Sequence, residues 1–271
     1  MTPVLYNLAL ALLAPGVALA FALRQVRRGR RREGWAERLG RLPEALVARC
    51  QGREVIWVHA VSVGETIAAK PLLAELRQRR PGAVLLLSQV TETGRATAAT
   101  ADADGLFYLP LDLPQVVIRV LDQLKPRLFV TVDTELWPNL FWLCHRRGVR
   151  TAMSNGRISD RSLARIERFR LFWLYRWVLS NVDALLMQSA NDAVRVRRLG
   201  APAGRVQITG NLKVDEAYPE VDAARLAWWH ETLGLAPDSP VLLGGSTAPN
   251  EEELLLAAWQ ALRQEQPGLR L

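Results

Sequence analysis

The sequence predicts an α/β protein whose parallel sheet is covered by helices on both faces. Short, nearly continuous apolar runs such as AVLLLSQV (83–90) and RLFVTVD (127–133) alternate with amphipathic runs of helical length. Pro and Gly punctuate the junctions, as at Pro81-Gly82, Pro126, Pro138 and Gly148. A chain of 271 residues, 49% hydrophobic and 23% charged, is long enough for about two domains with a sizeable core.

Taken in order, residues 2–23 (TPVLYNLALALLAPGVALAFAL) carry no charged side chain. Roughly 20 apolar residues span a hydrocarbon core as a helix, so residues 1–23 read as a membrane anchor helix. The alternative is a helix that docks on the protein's own core or lies in the interface. No basic n-region precedes the run; six arginines follow it, Arg24, Arg27, Arg28, Arg30, Arg31 and Arg32. Positive flanks stay cytoplasmic, which places the body of the protein inside the cell, and the same collar suits anionic headgroups. Residues 24–52 form this collar and an amphipathic segment of short helical pieces.

From 53 to 211 the chain reads as one Rossmann-like domain. EVIWVHAVS is a strand and TIAAKPLLAELRQRR a helix; AVLLLSQV is a strand and ETGRATAATADA a helix; LFYLPL is a short strand and PQVVIRVLDQLK a helix. RLFVTVD leads into PNLFWLCHRRG, a helix opened by Pro138 and closed by Gly148. VRTAMSN is followed by a long arginine- and aromatic-rich helical region over 160–179, then VDALLMQS, the helix ANDAVRVRRLG and a last strand, VQITGN. Residues 212–239 read as a linker and helix. VLLGG after Pro240 opens a further strand, and a helix runs through STAPNEEELLLAAWQALRQE. One βα unit cannot bury its own faces, so 240–271 reads as the incomplete start of a C-terminal domain.

Composition excludes several function classes. A net charge of +8, from 35 basic and 27 acidic residues, attracts anions or simply solvates the surface. No nucleic-acid motif accompanies it. Cys50, Cys144 and three scattered histidines build neither a disulfide scaffold nor a zinc site. Neither G-x-G-x-x-G nor G-x-x-x-x-G-K-[ST] occurs, which disfavours dinucleotide dehydrogenases and P-loop enzymes.

Parallel sheets bind ligands at the carboxyl ends of their strands, so the strand-to-helix loops are the candidate sites. In HAVSVGET (59–66), Gly64 permits a tight turn, and Ser62 to Glu65 fits a capping box. Glu65 also suits a general base at the mouth of the sheet. In DTELWPN (133–139), Asp133 and Glu135 leave a strand together and suit stabilisation of developing positive charge, or the electrostatics of the next helix start. In SNGRISDRS (154–162), Asn155, Arg157, Ser159, Arg161 and Ser162 form a cationic hydrogen-bonding loop, suited to phosphate or carboxylate or to plain solvation. Lys213 follows the last strand in GNLKVD.

Together the anchor, HAVSVGE, TETG, YLPLDLP, TELWPN, NGRIS, TGNLKVD and GSTAPNEEE resemble, in order, the 3-deoxy-D-manno-octulosonic acid (Kdo) transferases of lipopolysaccharide biosynthesis. The resemblance implies a GT-B glycosyltransferase with two Rossmann-like domains. It implies inverting transfer of Kdo from CMP-Kdo to the lipid A precursor, lipid IVA, at the cytoplasmic face of the inner membrane, without a metal or other cofactor. It assigns the general base to Glu65 and transition-state stabilisation to Glu135 and Lys213. Ser62, Gly64, Asn155 and Arg157 then become substrate contacts, with Ser246 and Thr247 on the donor side. Asp133, Ala248 and Asn250 stand where the family's motifs carry glutamate, histidine and glycine. Most of the family's CMP-binding residues lie further into the second domain, so the resemblance implies that this chain is a fragment. A non-catalytic glycolipid-binding module and a GT-B transferase with another sugar nucleotide are the alternatives.

Overall fold

In the computed structural model, which describes residues 2–12, 34–215, 221–236 and 238–271, the apolar runs form seven strands: β1 (Val55–His59), β2 (Val84–Gln89), β3 (Gly105–Tyr108), β4 (Leu128–Val132), β5 (Arg150–Gly156), β6 (Ala184–Met187) and β7 (Val206–Ile208). They make one sheet in the order β3-β2-β1-β4-β5-β6-β7, every neighbouring pair parallel. The helices are α1 (2–12), α2 (Trp35–Arg38), α3 (Glu44–Cys50), α4 (Val63–Arg79), α5 (Glu92–Ala98), α6 (Pro114–Leu124), α7 (Pro138–Arg146), α8 (Asp160–Arg168), α9 (Phe172–Ser180) and α10 (Ala190–Arg198).

The strands are buried on both faces, which is why they read as continuous apolar runs rather than alternating ones. Trp57, Phe107, Phe129 and Phe141 are fully buried in a cluster shared with α3, α6, α7, α9 and α10. On the opposite face Ile56, Val58, Leu85, Leu87 and Val130 meet Ala68, Ala69 and Leu73 of α4. Burying one such side chain contributes about 1.5–3 kcal/mol, so the two faces together commit the chain to this sheet. Cys50 and Cys144 are both buried free thiols.

Two sequence expectations change. The helical region over 160–179 is two helices, because Arg170 takes a left-handed φ of 53° and the Leu171 N–H turns back to the Ile166 carbonyl at 3.0 Å. The strand expected at VLLGG is a single parallel bridge, Val241 to Arg270, because among the described residues only Arg270 pairs with it. That bridge belongs to a second compact unit, 217–271, holding α11 (Ala223–Leu233) and α12 (Glu251–Glu265); the first unit is 1–216.

The uncharged N-terminal run is helical where it is described. Thr2, Pro3, Tyr6, Asn7 and Leu10 are partly covered, whereas Val4, Leu5, Leu8 and Leu12 on the other side are exposed, Leu12 at 82%. Residues 13–23 and the arginines of 24–32 lie outside the described residues, and among the described ones no helix is long and apolar enough to cross a membrane.

Candidate functional site

The order of the sheet reverses between β1 and β4, and ligands of open α/β sheets bind outside the carboxyl ends of the strands at such a switch point. The loops leaving β1 and β4 are HAVSVGET and DTELWPN, so the topology sets Glu65 beside Asp133 and Glu135.

Ser62 is the N-cap of α4. Its Oγ accepts the Glu65 N–H at 3.4 Å, and its hydroxyl donates to Glu65 Oε1 at 2.8 Å. Glu65 Oε2 accepts the Val61 N–H at 2.7 Å. The carboxylate is therefore fixed by the first turn of its own helix. A carboxylate oxygen has two lone-pair sites, so each oxygen keeps one free for a proton. The loop is braced from β2: the Thr91 hydroxyl, N-cap of α5, donates to the Val61 carbonyl at 3.1 Å. A Cβ on Gly94 would lie 2.9 Å from Thr91 Oγ1 and 3.2 Å from the Val61 carbonyl oxygen, so this position needs glycine.

Asp133 takes a left-handed φ of 65° and donates its N–H to the Ser154 carbonyl at 2.9 Å, turning the chain out of β4. The Thr134 hydroxyl and the backbone of Arg157 bond reciprocally, tying this loop to the one after β5. Burial is the main cause of a raised Asp133 pKa; the Glu65 charge adds to it, while Arg157 and Lys213 pull it back down. Glu135 is pushed up to about 7, first by burial and then by the charges of Glu65 and Asp133. Three carboxyl groups thus share one field, and near neutral pH Glu135 is poised between its two forms.

Lys213 lies in a short 3₁₀ turn, Leu212–Asp215, and is exposed. A Cβ on Gly64 would sit 3.7 Å from its Nζ, so the missing side chain leaves the ammonium beside the first turn of α4. Asn155 fixes that turn. Its side chain is 1% exposed, it takes a φ of 60°, and its Oδ1 accepts the Leu212 N–H at 3.0 Å. The structure thus spends the Asn155 amide oxygen on positioning Lys213, whereas the Arg157 side chain is exposed beside the acid cluster. Ser246 and Thr247 belong to the second unit, where the Thr247 hydroxyl donates to Glu252 at 2.8 Å.

Sequence reasoning did not single out Thr91 or His59. His59 is fully buried under the site, its Nδ1 within 3.0 Å of the Ser88 carbonyl and 2.9 Å of the Ser88 hydroxyl. Burial lowers its pKa to about 3, so it is neutral at physiological pH. Among the described residues no group of three His, Cys, Asp or Glu side chains could hold a metal ion.

A wholly parallel seven-stranded sheet covered by helices, with an acid-lined site at its switch point, is a Rossmann-like architecture. Two solved UDP-N-acetylglucosamine 2-epimerases share the fold. That of Neisseria meningitidis has a TM-score of 0.54 at 14% identity, covering 80% of this chain and 63% of its own. A putative one from Listeria monocytogenes has a TM-score of 0.57 at 12% identity, covering 80% and 61%. The family model described as 3-deoxy-D-manno-octulosonic-acid transferase (kdotransferase) matches residues 33–216. The chain belongs to that family. It is 32% identical over 273 aligned residues to the 3-deoxy-D-manno-octulosonic acid transferase of Haemophilus influenzae, covering 98% of this chain and 61% of that one. It is 36% identical to that of Bordetella pertussis, covering 95% and 59%. The chain thus spans about three fifths of the length of these relatives.

Proposed function

We propose that this chain is the acceptor-binding part of an inverting glycosyltransferase that moves Kdo from CMP-Kdo to the lipid A precursor, lipid IVA. The observation that carries the reading is the fixed Glu65 carboxylate beside Asp133 and Glu135, with Lys213 next to Gly64. Glu65 takes the proton of an acceptor hydroxyl as its oxygen attacks the anomeric carbon of Kdo. The bond to the CMP phosphate breaks on the opposite face, which inverts the centre. Ionised Glu135 opposes the positive charge that develops on the sugar, and the Lys213 ammonium meets the departing phosphate or the Kdo carboxylate. Ser62, Gly64 and Arg157 line the acceptor side. The donor nucleotide is assigned to the second domain, of which 217–271 is the opening and to which Ser246 and Thr247 belong.

The test is transfer by the full-length protein, with CMP-Kdo, lipid IVA and product mass as the readout. Wild type is expected to add Kdo, and Lys213→Met to lose about a hundredfold to a thousandfold in kcat, the range for one electrostatic stabiliser. A wild type without product, or a Lys213→Met variant at full rate, overturns the assignment.

We further place the protein at the cytoplasmic face of the inner membrane, held by residues 1–23 and the arginine collar. The exposed Val4, Leu5, Leu8 and Leu12 support this, since an apolar helix face of that kind suits lipid. Wild type is expected to float with vesicles of phosphatidylethanolamine and phosphatidylglycerol, and Leu5→Glu/Leu8→Glu to stay with the soluble fraction. Equal flotation of the two counts against the anchor.

A further inference from the structure

Two motifs that the catalytic reading leaves idle, YLPLDLP and the end of TELWPN, meet the polar face of α1. Asp112 is the tertiary cap of α7: it accepts the N–H groups of Asn139 at 3.0 Å and Leu140 at 2.9 Å. No side chain of the local sequence caps that helix, whose N-cap is Trp137 and whose first residue is Pro138. The same carboxylate accepts the Tyr6 hydroxyl at 2.9 Å. Asn139, fully buried, donates its amide to the Asp112 carbonyl at 2.5 Å. It also forms a reciprocal amide pair with Asn7, at 3.0 Å in one direction and 2.9 Å in the other. The Tyr6 ring lies 6.0 Å from that of Trp177, closing the socket from α9.

A tyrosine and an asparagine are costly inside an uncharged run unless each polar atom finds a partner, and here each does. The partners sit at the foot of the loop that carries Asp133 and Glu135. That loop has two fixed ends, the Asp133 N–H on Ser154 and the capped first turn of α7. Truncating Asn7 on a seated helix leaves the buried Asn139 amide oxygen without that donor, and removing the Tyr6 hydroxyl takes one donor from Asp112, so the second end loosens.

We infer that Tyr6 and Asn7 are positioning residues: the N-terminal helix is a plug seated in a socket of site-loop residues, so that the segment proposed to hold the protein on lipid also sets the Glu135 loop. The inference rests on the proposed role of Glu135 in transfer, but the socket itself is tested without activity.

Amide hydrogen exchange is measured on the full chain as wild type, Tyr6→Phe and Asn7→Ala. Asn139 and Leu140 are expected to exchange roughly tenfold faster in each variant, while β4 and β5 keep the wild-type rate. Unchanged exchange at those two amides overturns the socket. A uniform rise across the sheet overturns it as well, since that is general destabilisation. In the full-length protein both variants are expected to lower kcat about tenfold at unchanged acceptor KM. Faster exchange with kcat and KM both at wild-type values overturns the positioning role. A wild type that transfers nothing overturns the proposed function instead, and the exchange measurement still decides the socket.

Discussion

Glu65→Gln in the full-length protein is expected to lower transfer by about a hundredfold to ten-thousandfold, the usual contribution of a positioned general base, while the chain still folds. The amide oxygen of glutamine accepts the Val61 N–H as the carboxylate does, so the loop keeps its shape. What is lost is the basic lone pair. The capping role of Glu65 makes a control necessary. Ser62→Ala removes the N-cap hydroxyl and costs about 0.5–2 kcal/mol of stability. It leaves the Glu65 carboxylate and its Val61 bond in place, so turnover should fall only a few-fold. If Glu65 were a cap and nothing more, Glu65→Gln would lower turnover no more than Ser62→Ala does. A Glu65→Gln enzyme at wild-type rate removes Glu65 from the chemistry.

Much of this fold is legible in the residues, because the interruptions are chemically unambiguous. Pro138 cannot sit within a central strand and opens α7, and the strands buried on both faces, such as Leu85 to Leu87, leave no polar alternation to confuse them with edge strands. The break between α8 and α9 is not legible, because an arginine, Arg170, takes the left-handed position where glycine is the usual signal. The site divides in the same way. Ser62 to Glu65 reads as a capping box and is one, since its four residues are local. The approach of Glu65 to Asp133 and Glu135 depends on β1 and β4 being neighbours, which the order of strands along the chain does not reveal. Asn155 looks like a ligand contact because it is polar at a strand end; only the fold shows its amide oxygen bonded to Leu212. The socket is hidden for the same reason, since Asn7 and Asn139 lie 132 positions apart.

The raised pKa of Glu135 makes a second large effect, on stability as a function of pH. A carboxyl group whose folded pKa is about 7, against an ordinary 4.5, binds its proton more tightly in the folded chain. Its favourable contribution is therefore complete below pH 4.5, is lost as pH rises through 7, and changes little above that. Glu135→Gln fixes the neutral form. At pH 8 the variant should melt above wild type by roughly 2–4 °C, corresponding to about 1 kcal/mol once partial exposure is allowed for. At pH 4 the two should melt together. Asp133, raised for the same main reason, contributes in the same direction and remains in both proteins. The activity profile carries the complementary signature. If ionised Glu135 opposes charge on the sugar, kcat rises with pH around 7 in wild type, and that limb disappears in Glu135→Gln together with most of the rate. A melting difference that does not change between pH 4 and pH 8 contradicts the raised pKa. A variant that keeps both the rate and the limb assigns the titration to another member of the acid cluster, with Asp133 the next to replace.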